Sequence, residues 1–109
     1  MSSLHYDSIQ PLPPGAKPLE RKQAIQLAIE AGGWVVSPDT TTITKTIKLE
    51  SFSAALNFIN IIGSLAMAQK YFPEIDLRET TVDVILTTPE IKGLSHNDFV
   101  MASKITHLI

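Results

Sequence analysis

Cysteine is missing altogether from this chain, which excludes disulfides, thiolate metal sites and a thiol nucleophile. Charge is sparse: 18% of the 109 residues are Asp, Glu, Lys or Arg, and the formal net charge is −2. No Lys/Arg run could neutralise a phosphate backbone, so nucleic-acid binding through a basic footprint is not expected. A Gly-rich phosphate loop and a nucleophile elbow are both lacking. The N-terminal "MSSLHYDSIQ" lacks the charged-then-apolar order of a secretory signal. A reducing, soluble, cytoplasmic setting is therefore the default expectation. The histidines His5, His96 and His107 share no metal-ligand spacing. Each is read as a solvated side chain, with no metal and no cofactor expected.

What remains is apolar enough to fold. Hydrophobic residues make up 44% of the chain, which suits one small domain with a single core. Residues 1–17 carry three prolines and a glycine without periodicity and read as a flexible N-terminal arm. The domain is expected over residues 18–109. A first helix is predicted from Pro18, with Ala24, Leu27, Ala28 and Ala31 on one face and Gly32-Gly33 as its stop. "WVVS" reads as a short strand, and "TTITKTIKL" as its hairpin partner. In that partner Ile43, Ile47 and Leu49 share the inner face, while Thr42, Thr44, Thr46 and Lys48 share an outer, solvated one.

Residues 51–70 predict a long helix capped by Ser51, with no charge from Ser51 to Gln69. Ser53, Asn57, Asn60 and Ser64 form one narrow polar stripe, and nearly everything else is apolar. A single-layer domain needs one apolar helix face, so the second face predicts a subunit interface in a homodimer or higher oligomer. The polar stripe argues against a membrane span. A strand follows at about 79–88, with Val82, Val84 and Leu86 inward and Thr81, Asp83 and Thr87 outward. A fourth strand comes from 73–78 or from a split of that last ladder. Ser95 and Asp98 have capping-box spacing, and the final helix places Met101, Ala102, Ile105, Leu108 and Ile109 on one face. The order predicts an α+β fold, helices on one face of an antiparallel sheet. Glu74, Asp76, Glu79 and Asp83 fall within ten residues, with Arg78 among them. A solvated loop is the plain reading of these acids, and an acidic docking patch the sharper one.

The "GGW" at 32–34, the apolar helix that ends before Pro73-Glu74, and "TTPEIKGLSHNDFVMASKI" resemble the pterin-4a-carbinolamine dehydratase family over about residues 18–109. Gly93, Leu94, Ser95, Asp98, Ala102, Ser103 and Ile105 carry the most specific part of that resemblance. It implies a four-stranded antiparallel sheet with three helices on one face, in the order α-β-β-α-β-β-α. It also implies a helix ending in His-His-Pro-Glu-Trp and a Thr-His after the last strand, whose imidazoles perform the acid–base dehydration. Here Tyr71, Phe72 and Pro89 stand in the three histidine positions, and Ile75 replaces the Trp. Phenylalanine and proline transfer no proton, and a tyrosine titrating near pH 10 is poorly matched to neutral acid–base work. "YFPEIDL" is similar to the aromatic-Pro-acid-Ile run of the dehydratase-like Rubisco assembly factors, which lack the histidines.

That resemblance implies a non-enzymatic chaperone or scaffold whose protein client is the Rubisco large subunit. The implied location is the cytoplasm beside carboxysomes, or the chloroplast stroma once a transit peptide is removed. Two alternatives stay open: a divergent dehydratase using Tyr71, Glu74 or Glu79 in new roles, and a regulatory protein-binding module. Glu74, Asp76 and Glu79, with the face of Thr42, Thr44, Thr46, Lys48, Thr81 and Asp83, are the expected client-binding residues.

Overall fold

Pro18 and Leu19 run extended instead of opening a helix, because the Leu19 amide donates to the Leu94 carbonyl at 2.8 Å. The computed structural model, which describes residues 3–109, starts α1 at Arg21–Glu30. Glu20 caps it through a reciprocal box with Gln23. Ala24, Ala28 and Ala31 are buried, as their spacing predicts. Gly32 and Gly33 then turn the chain with φ of +114° and +84°. A Cβ at Gly32 would lie 2.4 Å from Thr106 Cγ2, so no other residue fits that corner. Thr106 Oγ1 donates to the Ala31 carbonyl and accepts from Trp34 Nε1, which ties the end of α1 to the end of the chain's last helix.

The sheet holds β1 (Val35–Val36), β2 (Ile43–Lys48), β3 (Glu74–Arg78) and β4 (Thr81–Leu86) in the order β1-β2-β4-β3, antiparallel throughout. Ile43, Ile47, Val82, Val84 and Leu86 point into the core, as their alternation predicts. α2 (Phe52–Gln69) and α3 (His96–Thr106) complete the helical layer, giving the order α-β-β-α-β-β-α. Ser51 Oγ accepts from the Ala54 amide at 3.0 Å and fixes the start of α2. Ser95 and Asp98 form the capping box of α3. Its Phe99, Met101, Ala102 and Ile105 are fully buried.

α2 buries Ala55, Phe58, Ile62 and Ala66, packs Ile59 and Leu65 partly against the core, and leaves a further apolar face open. Phe52 is 53% exposed, Leu56 43%, Ile61 49% and Met67 67%, so a second apolar face exists on this helix. Among the described residues α2 is the one helix long and apolar enough to cross a membrane, and four of its residues pack into the domain core. The arm from Leu4 to Gln10 is laid against α3, while residues 1–2 lie outside the described residues. Leu4, in a short 3-10 turn at Leu4–Tyr6, is buried in the core.

Candidate functional site

α2 ends where Lys70 adopts a left-handed conformation, φ +54°, and Pro73 forbids continuation. The next residues run extended, so successive side chains point to opposite sides. Tyr71 turns inward against the core, and Phe72 turns outward, 72% exposed. Of the two aromatics at the helix end, Tyr71 alone closes the core.

The Tyr71 hydroxyl is hydrogen-bonded to the Asp98 carboxylate and also lies 3.2 Å from the Thr87 carbonyl. Asp98 is fully buried, and its Oδ2 accepts from Thr88 Oγ1 at 2.6 Å and from the Ser95 amide at 2.9 Å. Thr88 Oγ1 lies 2.9 Å from Ser95 Oγ. Burial pushes the Asp98 carboxyl above the usual carboxylate range, against the lowering effect of Thr88, Tyr71 and Ser95. Burial, followed by the Asp98 charge and hydrogen bond, pushes the Tyr71 hydroxyl far above its ordinary value. This tyrosine stays protonated at any physiological pH.

Pro89 opens a short 3-10 turn (Pro89–Ile91) after β4. Tyr71, Phe72 and Pro89, separated in sequence, line one open cleft of about 1060 Å³ with Gln69, Lys70, Thr87, Glu90, Ile91 and Asn97. Arm residues Ile9, Leu12 and Pro13 form its other wall. No histidine lines this cleft. The three positions where the resemblance places imidazoles are thus brought together, and none of them carries a group that titrates near neutrality.

The acidic cluster is mostly strand, not loop. Glu74 and Asp76 lie in β3, and Glu79 sits in the β3–β4 turn with φ +52°. Register puts Thr44, Ile85 and Glu74 in one outward row, Thr46, Asp83 and Asp76 in the next, and Lys48, Thr81 and Arg78 in a third. The two regions read separately in the sequence are therefore one continuous sheet surface. Asp83 accepts from Thr46 Oγ1 at 2.6 Å and from Arg78 at 2.7 Å. Those bonds, Thr46's first, hold its carboxyl below the usual range. Arg78 also approaches Asp76 at 3.9 Å. Asp83 is thus a structural member of this surface, while Glu74, Asp76 and Glu79 remain exposed. Thr42 belongs to the β1–β2 connection, where its carbonyl accepts from the Ser37 amide.

Three further placements had little signal in the sequence. Lys45 lies on the helix side of the sheet, with Nζ donating to the Gly32 carbonyl at 2.9 Å. His5 and His107 are not independent solvated side chains, since their rings stack with centroids 3.6 Å apart. Asp98 reads as a cap in the sequence, yet it also bonds Tyr71 across 27 positions. Among the described residues no group of three His, Cys, Asp or Glu side chains is arranged to hold a metal ion.

The family profile described as pterin 4 alpha carbinolamine dehydratase matches residues 17–108. A Cupriavidus pinatubonensis protein named "Putative pterin-4-alpha-carbinolamine dehydratase 1" is 36% identical over 105 residues, covering 96% of this chain and 90% of that protein. A Halorhodospira halophila protein of similar name is 33% identical over 106 residues, covering 97% of each. A Brucella melitensis crystal structure described as a transcriptional coactivator/pterin dehydratase superposes with a TM-score of 0.77 at 25% identity. It covers 84% of this chain and 98% of its own.

Proposed function

The chain belongs to the pterin 4 alpha carbinolamine dehydratase family, and from that premise we propose that it is a non-enzymatic member that acts by binding a protein client. One observation carries the reading. The cleft where this family's resemblance places three imidazoles holds a buried tyrosine, an exposed phenyl ring and a proline. The divergent-dehydratase alternative needs Tyr71, Glu74 or Glu79 to move protons there. Glu74 and Glu79 lie on the outer sheet face and its turn, outside the cleft, and Tyr71 is locked to Asp98. The regulatory-module alternative predicts the same lack of chemistry and differs only in the client. A Rubisco assembly client is the specific form of the proposal, and its support is the "YFPEIDL" run at 71–77. The corresponding location is cytoplasmic and carboxysome-associated, or stromal.

The outer sheet face is the client surface in this reading. Its exposed charges favour rapid, reversible encounter over a permanent apolar seal. Binding to Rubisco large subunits is expected to weaken as salt rises, because exposed charges are screened within about 10 Å at 0.1 M. Reversal of Glu74, Asp76 and Glu79 to Lys is expected to slow association while leaving the thermal transition in place. Titration of both proteins across a salt series checks this. Equal affinity and equal salt slope would remove the acidic row from the interface. Failure of both proteins to bind, with capture of a transcription factor instead, would favour the regulatory module.

The client-binding unit is proposed to be a homodimer or higher oligomer that covers the exposed face of α2. Phe52, Leu56 and Met67 lie on that face at helical spacing, beside Gly63, where a Cβ would meet nothing within 4 Å. Light scattering at micromolar concentration is expected to give at least twice the chain mass. Leu56→Lys with Met67→Lys is expected to yield folded monomers. A wild type of strictly single-chain mass would contradict this assembly.

A further inference from the structure

The arm is fastened to α3 at successive points. Leu4 is buried in the core, and Lys104 Nζ donates to the His5 carbonyl at 2.7 Å. Asp7 Oδ2 lies 3.2 Å from His96 Nε2. The Asn97 side-chain amide accepts from the Gln10 amide at 2.9 Å and donates to the Gln10 carbonyl at 2.7 Å. Past Gln10 the arm becomes one wall of the cleft that holds Phe72 and Pro89.

One fastening is chemically unlike the others. The His5 ring stacks on that of His107, 19° from parallel. His107 Nδ1 donates to the Ser103 carbonyl at 2.8 Å. His5 Nδ1 is buried with no hydrogen-bond partner among the described residues. We propose that the arm is a pH-gated strap, held on α3 near neutrality and released by proton uptake at the His5–His107 stack, with release opening one wall of the cleft. This device goes beyond the client reading and does not depend on it.

The surroundings of the stack all act in one direction. A proton on His5 Nδ1 creates a buried donor with no acceptor among the described residues. The new charge would face His107 and Lys104 from α3, and from its own turn only the Tyr6 ring, at 4.0 Å. No carboxylate among the described residues pairs with either stacked ring. Burial, then His107, then Lys104 hold His5 below the ordinary histidine range. The Asp7–His96 contact works the opposite way, since a protonated His96 would grip Asp7 more firmly. A ring that titrates lower when docked leaves docking undiminished above about pH 6.5, the value of a free histidine. Below that, docking weakens by up to about tenfold per pH unit for each proton so linked.

The test is ¹⁵N relaxation on the full chain at about pH 7.5 and about pH 5.5. At the higher pH the amides of Asp7 to Gln10 are expected to be as rigid as those of α3. At the lower pH their heteronuclear NOEs are expected to collapse while β4 stays rigid. His5→Phe keeps a stacking ring that takes no proton, and its arm is expected to remain docked at both values. His107→Phe keeps the stack and removes one opposing charge, so its arm is expected still to release, but at a lower pH than wild type. An equally rigid wild-type arm at both pH values would overturn the strap. So would release of the His5→Phe arm at the wild-type midpoint, which would place the switch elsewhere.

Discussion

The purified protein is expected to dehydrate a pterin 4a-carbinolamine no faster than solvent does. General acid–base catalysis by one positioned group is commonly worth about 10²–10⁴-fold. In the proposed reading Tyr71, Phe72 and Pro89 stand at all three imidazole positions, and groups that act as a unit are lost together, not additively. Phe72 and Pro89 have no proton to move, and the Tyr71 proton is committed to the Asp98 carboxylate. Two further features make accidental rescue hard. Asp98 is itself buried behind Tyr71, Thr88 and Ser95, so its oxygens are not presented to a ligand. The other charged groups on the cleft wall are Lys70 and Glu90, an amine and a carboxylate, with no imidazole beside them. The measurement is the absorbance change on loss of water, with and without protein. A rate well above the spontaneous one, abolished by Tyr71→Phe or Glu90→Gln, would establish a divergent enzyme and end the scaffold reading. Loss of client binding alone would leave this result untouched, so the two parts of the proposal fail separately.

The features legible in the sequence are those that neighbouring residues decide. The alanine face of α1, its Gly32-Gly33 stop, the Ser51 cap of α2 and the Ser95/Asp98 box each need only a few adjacent side chains, and each forms as its spacing requires. Alternation also works where a strand has a partner on both sides, as in β2 and β4. The edge strand β3 is harder, because "EIDLR" has the alternation of a strand and the composition of a loop. Pairing with β4 decides it, and that pairing aligns Asp76 opposite Asp83, with Arg78 bonded to Asp83. The inward Tyr71 and outward Phe72 follow from where β3 begins, which the helix pattern does not specify. Least legible are the contacts between distant segments. Gln10 with Asn97 and His5 with His107 have no local signature, and an arm rich in proline reads as a tail until its partners on α3 are known.

Removing Asp98 is expected to cost more stability than any change on the outer face. The carboxylate collects the Tyr71 hydroxyl, the Thr88 hydroxyl and the Ser95 amide in a fully buried corner. That corner joins the end of α2, the end of β4 and the start of α3. Asp98→Leu would leave these donors without their acceptor, at about 1–3 kcal/mol for each one that cannot turn elsewhere. Tyr71 can turn to the Thr87 carbonyl, 3.2 Å away; Thr88 and the Ser95 amide have only each other's neighbourhood. A loss of about 3–4 kcal/mol follows, which lowers the thermal midpoint by roughly 10–20 °C in a domain of this size. Asp98→Asn keeps the shape and one acceptor oxygen, so about 1–2 kcal/mol is expected instead. The pH dependence has a definite sign. Burial raises the folded pKa of Asp98, so its contribution is complete below the unfolded value near 4 and declines as pH rises through the folded value. Asp39 and Asp83, held low mainly by Thr41 and Thr46 respectively, contribute above that unfolded value and lose their contribution as pH falls. Acid is therefore expected to loosen the β1–β2 turn and the outer sheet face before the Tyr71–Asp98 corner. Thermal melts of wild type, Asp98→Leu and Asp98→Asn at neutral and acidic pH check both statements. Asp98→Leu melting within a few degrees of wild type would show that this corner is held by packing alone, with the carboxylate dispensable.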